Sequence, residues 1–207
     1  MNRLIAIGDI HGEYFKLKNL IKKLKPHKSD TVIFLGDYID RGLYSKHVID
    51  YLLECENNFN CIFLMGNHEY YFLKSNNDEY AKDFFLTYGG IQTIDSYCGY
   101  ENILKTHKNF FDKLKPYYLT EEFLFVHAGI RPDKKLEEQE KIDFYIIRNN
   151  FINHKHKLKQ KVIFGHTPFE KPFVEDDKIG IDTGCGKYCD GYLTAYICNE
   201  NKFVFAK

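Results

Sequence analysis

Five short motifs in this 207-residue sequence carry aspartate, histidine, asparagine and arginine, the residue types that bind divalent cations and phosphate. Each motif also contains glycine, which lets the backbone turn sharply and approach a bound group closely. A single Asp-x-His sequence is weak evidence, because it occurs by chance and often serves only a turn. The motifs are GDIHG at residues 8–12, GDYIDRG at 36–42, GNHE at 66–69, HAG at 127–129 and GHT at 165–167.

These motifs supply a mixed set of possible metal ligands that contains no thiolate. Carboxylate, imidazole and amide ligands suit manganese, iron or zinc at sites that keep an open coordination position. One carboxylate that bridges two ions about 3.5–4 Å apart would form a centre that activates water and stabilises an in-line displacement. Buried together without metal or partner, the same side chains would be costly. The candidates are Asp9, His11, Asp37, Asp40, Asn67, His68, His127 and His166.

Short apolar runs that end in glycine precede the first three motifs, and we interpret them as buried strands. They alternate with amphipathic helical patterns, and this order predicts a parallel sheet with right-handed crossovers. Ligand sites in such sheets form at the carboxyl ends of the strands, so we expect the motifs to meet at one edge. The strands are predicted at residues 4–8, 31–36 and 60–66, and the helices at 14–24 and 45–53, with Ser45 as the N-cap of the second.

The rest of the sequence divides into a helical middle and a strand-rich end. Residues 70–115 predict several short helices and no strand, and one helix is predicted at about 142–152. The last three predicted strands lie close together and are expected to form antiparallel hairpins. No repeat or linker is visible, so we expect a single α/β domain over residues 1–207 with a helical insertion at about 70–115. The later strands are predicted at 117–119, 123–126, 161–164, 178–181, 192–198 and 202–205.

In this order, the five motifs resemble those of the calcineurin-like metallophosphoesterases. GDIHG, GDYIDRG and GNHE are similar to the versions carried by the phosphoprotein phosphatase branch, and the resemblance extends to GIDTG at residues 180–184. In its compactness the chain is similar to bacterial and bacteriophage Ser/Thr phosphatases. The resemblance implies a four-layer sandwich in which two mixed β-sheets are flanked by helices.

The resemblance also implies a role for each motif residue. Two divalent ions are expected, with manganese favoured over iron or zinc, and a hydroxide between them attacks phosphorus in line. His68 would protonate the leaving group, and Asp40 would orient its imidazole. Arg41 and Arg148 would bind the phosphate oxygens, together with Asn67. The implied metal ligands are Asp9 and His11 for the first ion, Asp37 as the bridge, and Asn67, His127 and His166 for the second.

The motifs specify phosphorus chemistry but say little about the leaving group. The favoured function is a metal-dependent phosphomonoesterase that acts on phosphoserine or phosphothreonine. The alternative is hydrolysis of dinucleoside polyphosphates such as diadenosine tetraphosphate, although the enzymes that do this are usually longer. A noncatalytic scaffold is the third possibility, which the presence of His68, Asp40 and all six ligands disfavours.

Composition excludes several other classes of protein. The 29 basic and 29 acidic residues balance at a pI near 7.1, so the basic excess of a protein that binds nucleic acid polymers or membrane surfaces is absent. The longest apolar runs fall far short of the roughly 20 residues that span a bilayer. We therefore expect a cytoplasmic protein whose partner is a phosphorylated protein or peptide, or a small phosphate ester.

Two departures from the family pattern concern the surroundings of the site. Met65 stands where phosphoprotein phosphatases commonly have arginine, and Arg131 is a candidate substitute. Cys185 and Cys189 lie in a loop that could hold a structural zinc ion or act as an oxidation-sensitive lid, whereas ordinary packing is the alternative. Lys187 or Tyr188 in the same loop could reach the substrate, and a flexible hairpin without such a role is the alternative.

Overall fold

Two mixed five-stranded sheets form the centre of the protein, and the computed structural model describes residues 2–207. The strands are β1 Leu4–Ile7, β2 Thr31–Phe34, β3 Asn60–Phe63, β4 Tyr117–Leu119, β5 Phe123–Val126, β6 Lys161–Phe164, β7 Phe173–Val174, β8 Lys178–Gly180, β9 Leu193–Ile197 and β10 Lys202–Ala206. The first sheet has the order β10-β9-β1-β2-β3 and the second β4-β5-β6-β8-β7. In each sheet three consecutive strands are parallel: β1, β2 and β3 in the first, and β5, β6 and β8 in the second.

Between residues 2 and 207, eight α-helices connect the strands or pack on the sheets. They are α1 Tyr14–Leu24, α2 Ser45–Cys55, α3 Asn67–Lys74, α4 Glu79–Phe85, α5 Ile91–Ser96, α6 Tyr100–Phe111, α7 Lys141–Ile146 and α8 Asn149–Ile152. A π-helical turn at Leu86–Gly90 joins α4 to α5. Within residues 2–207, no helix combines the length and apolar character that a membrane crossing requires.

The alternation of side chains along each strand produces four layers. In β1, Ile5 and Ile7 pack with α1 and α2, whereas Ala6 belongs to the core between the two sheets. In β5, Phe125 belongs to the core between the sheets, and Leu124 packs with α7 and α8. The order helices, sheet, sheet, helices confirms the predicted four-layer sandwich of two mixed sheets.

The structure corrects the prediction of three consecutive hairpin strands near the end of the chain. The hairpin of β9 and β10 is present, but β8 lies in the other sheet, parallel to β6 and antiparallel to β7. The segment 181–192 thus carries the chain from one sheet to the other. Strand β7 has only two residues, too few to leave a periodic pattern in the sequence.

The helix predicted at about 142–152 is two short helices, α7 and α8. Between them, Arg148 has φ −132° and ψ −105°, which breaks the helical backbone. Arg148 is therefore the residue that precedes α8 and is not part of a continuous helix. Apolar spacing alone does not reveal such a break, because Phe144, Tyr145 and Phe151 on both sides face the same core.

Candidate active site

The motifs of both sheets meet where their parallel strands end. The backbone N–H of His166, after β6, donates to the carboxylate of Asp9, after β1, at 3.0 Å, although 157 positions separate the two residues. The backbone N–H of His68 donates to Oδ1 of Asp37 at 3.1 Å. All six predicted metal ligands are buried here, and none is more than 6% exposed.

Asp37 lies at the centre of this site and belongs to two groups of possible metal ligands. Its Oδ2 is 3.4 Å from Nε2 of His11, and its Oδ1 is 3.4 Å from Nε2 of His127. The first group comprises Asp37, His11 and His68, and the second comprises Asp37, His127 and His166. Asp37 is therefore the carboxylate that could contact two ions, because each of its oxygens faces a different group.

Asp9 is in neither group and borders the site next to two other buried carboxylates. Burial, together with the charges of Asp182 and Asp37, raises the pKa of Asp9 well above its ordinary value. Burial also raises the pKa of Asp182 to about 6. Buried carboxylates that repel one another are stabilised by a nearby cation. No sequence motif assigns a role to Asp182, although its position after strand β8 matches that of the other acidic residues.

Two glycines leave room for the carboxylates. A Cβ atom at Gly66 would overlap Oδ1 of Asp37, and a Cβ atom at Gly165 would overlap Oδ1 of Asp9. Any side chain at either position would displace a carboxylate from the site. The glycines of the third and fifth motifs are thus required by the close approach of these oxygen atoms.

Three imidazoles of the site favour the neutral form, in which one ring nitrogen presents a lone pair. Burial lowers the pKa values of His11, His127 and His166. Nδ1 of His127 lies 2.9 Å from the carbonyl oxygen of Leu35, and Nδ1 of His11 makes a similar contact to a backbone carbonyl at 3.1 Å. A carbonyl only accepts, so Nδ1 carries the proton in both rings and Nε2 presents the lone pair.

The contacts of the Asn67 amide oxygen fit a bound cation. Oδ1 of Asn67 lies 3.0 Å from Nε2 of His127 and 2.8 Å from Nδ1 of His166. Since Nδ1 of His127 is protonated, the neutral ring places two acceptors, Nε2 and Oδ1, against each other. A divalent ion bound to both atoms would relieve this conflict. Nε2 of His166 is also buried, and no hydrogen-bond partner for it exists within residues 2–207.

His68 forms a buried pair with Asp40. Its Nδ1 is 2.7 Å from Oδ2 of Asp40. Burial alone would lower the pKa of His68, but the charges of Asp37 and Asp40 outweigh that effect and raise it. Asp40 therefore keeps the proton of Nδ1 in place and favours the charged form of the ring.

The helical segment holds Asp40 in place through two hydroxyl groups. Thr93 of α5 donates from Oγ1 to Oδ1 of Asp40 at 2.7 Å and accepts the backbone N–H of Asp40 at 2.8 Å. Ser45 Oγ also accepts that N–H, at 3.2 Å, and is 2.9 Å from Thr93 Oγ1. The prediction of Ser45 as the N-cap of α2 is wrong, because Tyr44 occupies that position. No sequence motif identifies Thr93.

Glu69 ties the second motif to the third. Its carboxylate accepts the backbone N–H groups of Asp37 at 2.9 Å, Tyr38 at 2.8 Å and Gly66 at 3.2 Å. Burial, with the nearby charge of Asp37, raises the pKa of Glu69 to about 8. The sequence shows Glu69 as the last residue of GNHE, but only the structure reveals that it fixes the loop of the shared carboxylate.

The backbone of the site is conformationally unusual. Eight non-glycine residues within residues 2–207 have positive φ, and five of them are site residues. Left-handed conformations are unfavourable for residues with a side chain, although aspartate and histidine tolerate them better than most. Such conformations cluster at functional sites, where the surrounding structure enforces them. The five residues are His11, Asp37, Asp40, Arg41 and His166.

Two arginines reach the open side of the site. Arg41 places Nη1 2.9 Å from Nε2 of His11 and Nη2 3.1 Å from Nε2 of His68. Arg148 and Lys187 line the same cavity, which has a volume of about 550 Å³. The cavity also contacts Asp37, so cationic side chains from three loops surround the approach to the shared carboxylate.

Arg131 does not reach this cavity. Its Nε donates to Oδ2 of Asp143 at 2.7 Å, and its side chain lines a different pocket with Pro132 and Asp133. The proposed substitution of Arg131 for the arginine missing at Met65 is therefore wrong. Met65 packs against the core on the outer face of the second sheet.

The loop of Cys185 and Cys189 holds two free thiols in different environments. Cys185 is buried, and burial raises the pKa of its thiol; Cys189 is exposed. Neither thiol is part of a group of possible metal ligands within the described residues. Both observations favour ordinary packing over a structural zinc ion.

A family model described as calcineurin-like phosphoesterase matches residues 2–206. Among curated proteins, the chain is 29% identical to the asymmetrical bis(5′-nucleosyl)-tetraphosphatase PrpE of Bacillus cereus (strain ATCC 10987), with 86% of this chain and 84% of the relative covered. It is 26% identical to the protein of the same name from Anoxybacillus flavithermus, with 91% and 87% covered.

Solved structures show the same fold. A putative diadenosine tetraphosphatase superposes with a TM-score of 0.78 at 19% identity, covering 99% of this chain and 93% of that one. A Ser/Thr phosphatase from Saccharomyces cerevisiae with similarity to human phosphatase PP5 gives a TM-score of 0.70 at 17% identity, with 100% and 80% covered. Both similarities show the fold, whereas the assignment of the chain to a family rests on the family model.

Proposed function

Because the chain belongs to the calcineurin-like phosphoesterase family, whose members use divalent metals, we propose that it hydrolyses bis(5′-nucleosyl) tetraphosphates asymmetrically. The products would be a nucleoside triphosphate and a nucleoside monophosphate. From the sequence alone this activity ranks second, after Ser/Thr phosphatase activity. The curated relatives favour tetraphosphatase activity over Ser/Thr phosphatase activity. They are named bis(5′-nucleosyl)-tetraphosphatases, and this chain matches 84% to 87% of their length.

The proposal rests mainly on the cavity, because possible metal ligands and cationic side chains line it together. Arg41, Arg148 and Lys187 line the space next to Asp37. A single phosphate monoester offers one anionic group to these cations, whereas a tetraphosphate chain offers several. The cavity therefore suits a substrate with more than one phosphate.

The residues present fit two divalent ions, and we propose manganese, with iron or zinc as alternatives. Asp9, His11 and Asp37 would hold one ion, and Asp37, Asn67, His127 and His166 the other. Bound there, the ions would lower the pKa of water and neutralise charge on the phosphate. The neutral imidazoles and the facing acceptors of Asn67 and His127 support this assignment.

The protein's own side chains perform the remaining steps. Arg41 would bind non-bridging phosphate oxygens through its two-pronged guanidinium group, and Arg148 would bind them from the other loop. His68 would donate the proton on Nε2 to the departing oxygen. Asp40 would keep the proton of the other ring nitrogen in place throughout.

One observation favours Ser/Thr phosphatase activity as a second candidate. Proton donation matters most for a poor leaving group such as the alkoxide of serine, and the His68–Asp40 pair is well built for it. A nucleotide leaves more easily and depends less on such an acid.

The test is a turnover assay of manganese-loaded protein with diadenosine tetraphosphate, phosphoserine peptides and phosphothreonine peptides, with products separated by chromatography. We expect ATP and AMP from the first substrate at a higher kcat/KM than phosphate from the peptides. A chelator should abolish all turnover, and manganese should restore it. Faster turnover of the peptides would select the second candidate, and no turnover of any substrate would indicate a noncatalytic scaffold.

A further inference from the structure

Three aromatic rings next to the site form what we term the aromatic shelf: Tyr71, Phe84 and Tyr88. Phe84 stacks on Tyr71 with centroids 4.0 Å apart and planes inclined by 30°, and it lies 4.5 Å from Tyr88. Phe84 and Tyr88 line the cavity that contains Asp37, yet Tyr88 is 51% exposed. An exposed aromatic ring in a catalytic cavity is available to stack against a planar group of the substrate.

The shelf is continuous with the proposed catalytic centre. The centroid of Phe84 is 5.7 Å from that of His68, in an edge-to-face arrangement. The planar group that contacts the shelf would thus lie beside the phosphate that is attacked. This distance places the shelf next to the nucleoside that is nearer to the attacked phosphate. The other nucleoside would lie at the far end of the four-phosphate chain.

Polar groups accompany the rings along the same wall of the cavity. Thr87, Gly89 and Gln92 line the cavity together with Phe84 and Tyr88 of the shelf. The half-buried side chain of Gln92 makes no hydrogen bond to another group within residues 2–207, so both ends of its amide are available. A glutamine amide pairs in two-point fashion with adenine, because it accepts from the exocyclic amine and donates to the adjacent ring nitrogen.

We propose that the aromatic shelf and Gln92 form a subsite for the nucleobase that lies nearer to the attacked phosphate, with adenine preferred. This inference rests on the proposed nucleotide hydrolase function and specifies its substrate. The shelf would supply stacking, which any base can use, and Gln92 would supply the preference for adenine. Arg41, Arg148 and Lys187 would bind the phosphate chain.

The test compares two ligands that differ only in the base. These are the phosphonate analogues of AMP and of ribose 5-phosphate, in which a P–C bond prevents hydrolysis. Their dissociation constants for the manganese-loaded protein are measured by titration calorimetry. We expect the AMP analogue to bind about 5- to 150-fold more tightly, the range that one base stacked on an aromatic side chain contributes.

Substitutions identify the residues responsible. Tyr88→Ala and Phe84→Ala should each remove most of the advantage of the AMP analogue and leave the binding of the ribose analogue unchanged, whereas Tyr88→Phe should retain the advantage. Gln92→Ala should reduce the preference for the AMP analogue over the corresponding GMP analogue. Tyr80→Ala is the matched control, since Tyr80 is 68% exposed, packs on Tyr71 and does not line the cavity.

The outcomes separate this inference from the proposed function. Equal affinity for the two analogues, or an advantage that survives both Tyr88→Ala and Phe84→Ala, would overturn the subsite even if diadenosine tetraphosphate is hydrolysed. A base-dependent advantage without such hydrolysis would support the subsite and reject the tetraphosphatase proposal. If the shelf variants lose only the hydrolysis of phosphotyrosine peptides, the shelf binds a phenyl ring and the nucleobase assignment is wrong.

Discussion

Nδ1 of His68 and Oδ2 of Asp40 are 2.7 Å apart in the interior of the site, with side chains 1% and 0% exposed. A buried imidazole fixed in this way presents its other nitrogen to the cavity. Replacing the ring should therefore remove a proton donor without removing a predicted metal ligand.

We expect His68→Asn to lower kcat by about 10²–10⁴-fold, the typical contribution of a general acid. Aryl phosphates, whose leaving groups need little protonation, should lose less than phosphoserine. Metal content, measured by mass spectrometry, should match that of the unmodified protein. An equally small loss on both substrates would contradict the role of His68 as an acid.

Asp40→Asn should move the alkaline limb of the pH profile to lower pH. Protonated His68 is the active form, so kcat/KM falls as pH rises through its pKa. The charge of Asp40 helps to raise that pKa, and an amide lacks this charge. The midpoint should thus fall when kcat/KM is measured across neutral and alkaline pH. An unchanged midpoint would show that another group sets this limb.

Thr93 should act as a positioning residue for Asp40. Thr93→Val keeps the shape of the side chain but removes the donor to Oδ1, and we expect kcat to fall about 10- to 100-fold, as for other partners of catalytic groups. Thr93→Ser should restore most of the rate, which a purely structural defect would not predict. If valine and serine at this position give equal rates, the hydroxyl is unimportant.

Asp37→Asn should cost metal as well as rate. Asp37 faces both groups of possible ligands, so the loss of one carboxylate charge should weaken two ions at once. We expect less than half of the normal manganese to remain after gel filtration. Asp95→Asn, at an exposed position of α5, is the control. Full occupancy in Asp37→Asn would rule out a bridging role.

Asp30 should contribute to stability in a way that disappears in acid. It accepts hydrogen bonds from Nε of Arg3 at 3.0 Å and from the backbone N–H of His27 at 2.9 Å, and despite its burial its pKa falls to about 2. The folded state binds its proton less readily than the unfolded state. The contribution is therefore complete above the unfolded pKa near 4 and declines as pH falls toward 2.

Urea denaturation checks this contribution. Asp30→Asn should lower the free energy of unfolding by about 2 kcal/mol near pH 6, and the difference from the unmodified protein should shrink as pH decreases to 3. Asp112→Asn, on the surface, should show no such dependence. A difference that is constant with pH would mean that the charge of Asp30 does not stabilise the fold.

The sequence predicts those parts of the site that follow strands. Short apolar runs before Asp9, Asp37 and Asn67 identify parallel strands, and their shared direction places the motifs at one edge. Thr93 and Gln92 could not be found in this way. Both residues belong to α5 and reach the strand ends from there. Their neighbours in the sequence indicate only an ordinary amphipathic helix.

The errors have related causes. The sequence predicts that strand β8 pairs with its neighbours in the chain, but β8 pairs with β6, and its apolar residues complete the core between the sheets. The position of Arg131 soon after His127 predicts that it reaches the site, yet its side chain is hydrogen-bonded to Asp143 instead. In both cases a nearby position in the sequence is a poor guide to a position in space, because the partner that decides the outcome is distant in the chain.

Five site residues have a left-handed backbone that lowers the stability of the fold, yet their side chains are needed for activity. They are His11, Asp37, Asp40, Arg41 and His166. Glycine would relax each of them and gain resistance to heat, but it would delete the side chain on which the chemistry depends. Attempts to make this protein more stable should therefore target other loops, because glycine at these five positions would remove side chains that catalysis needs.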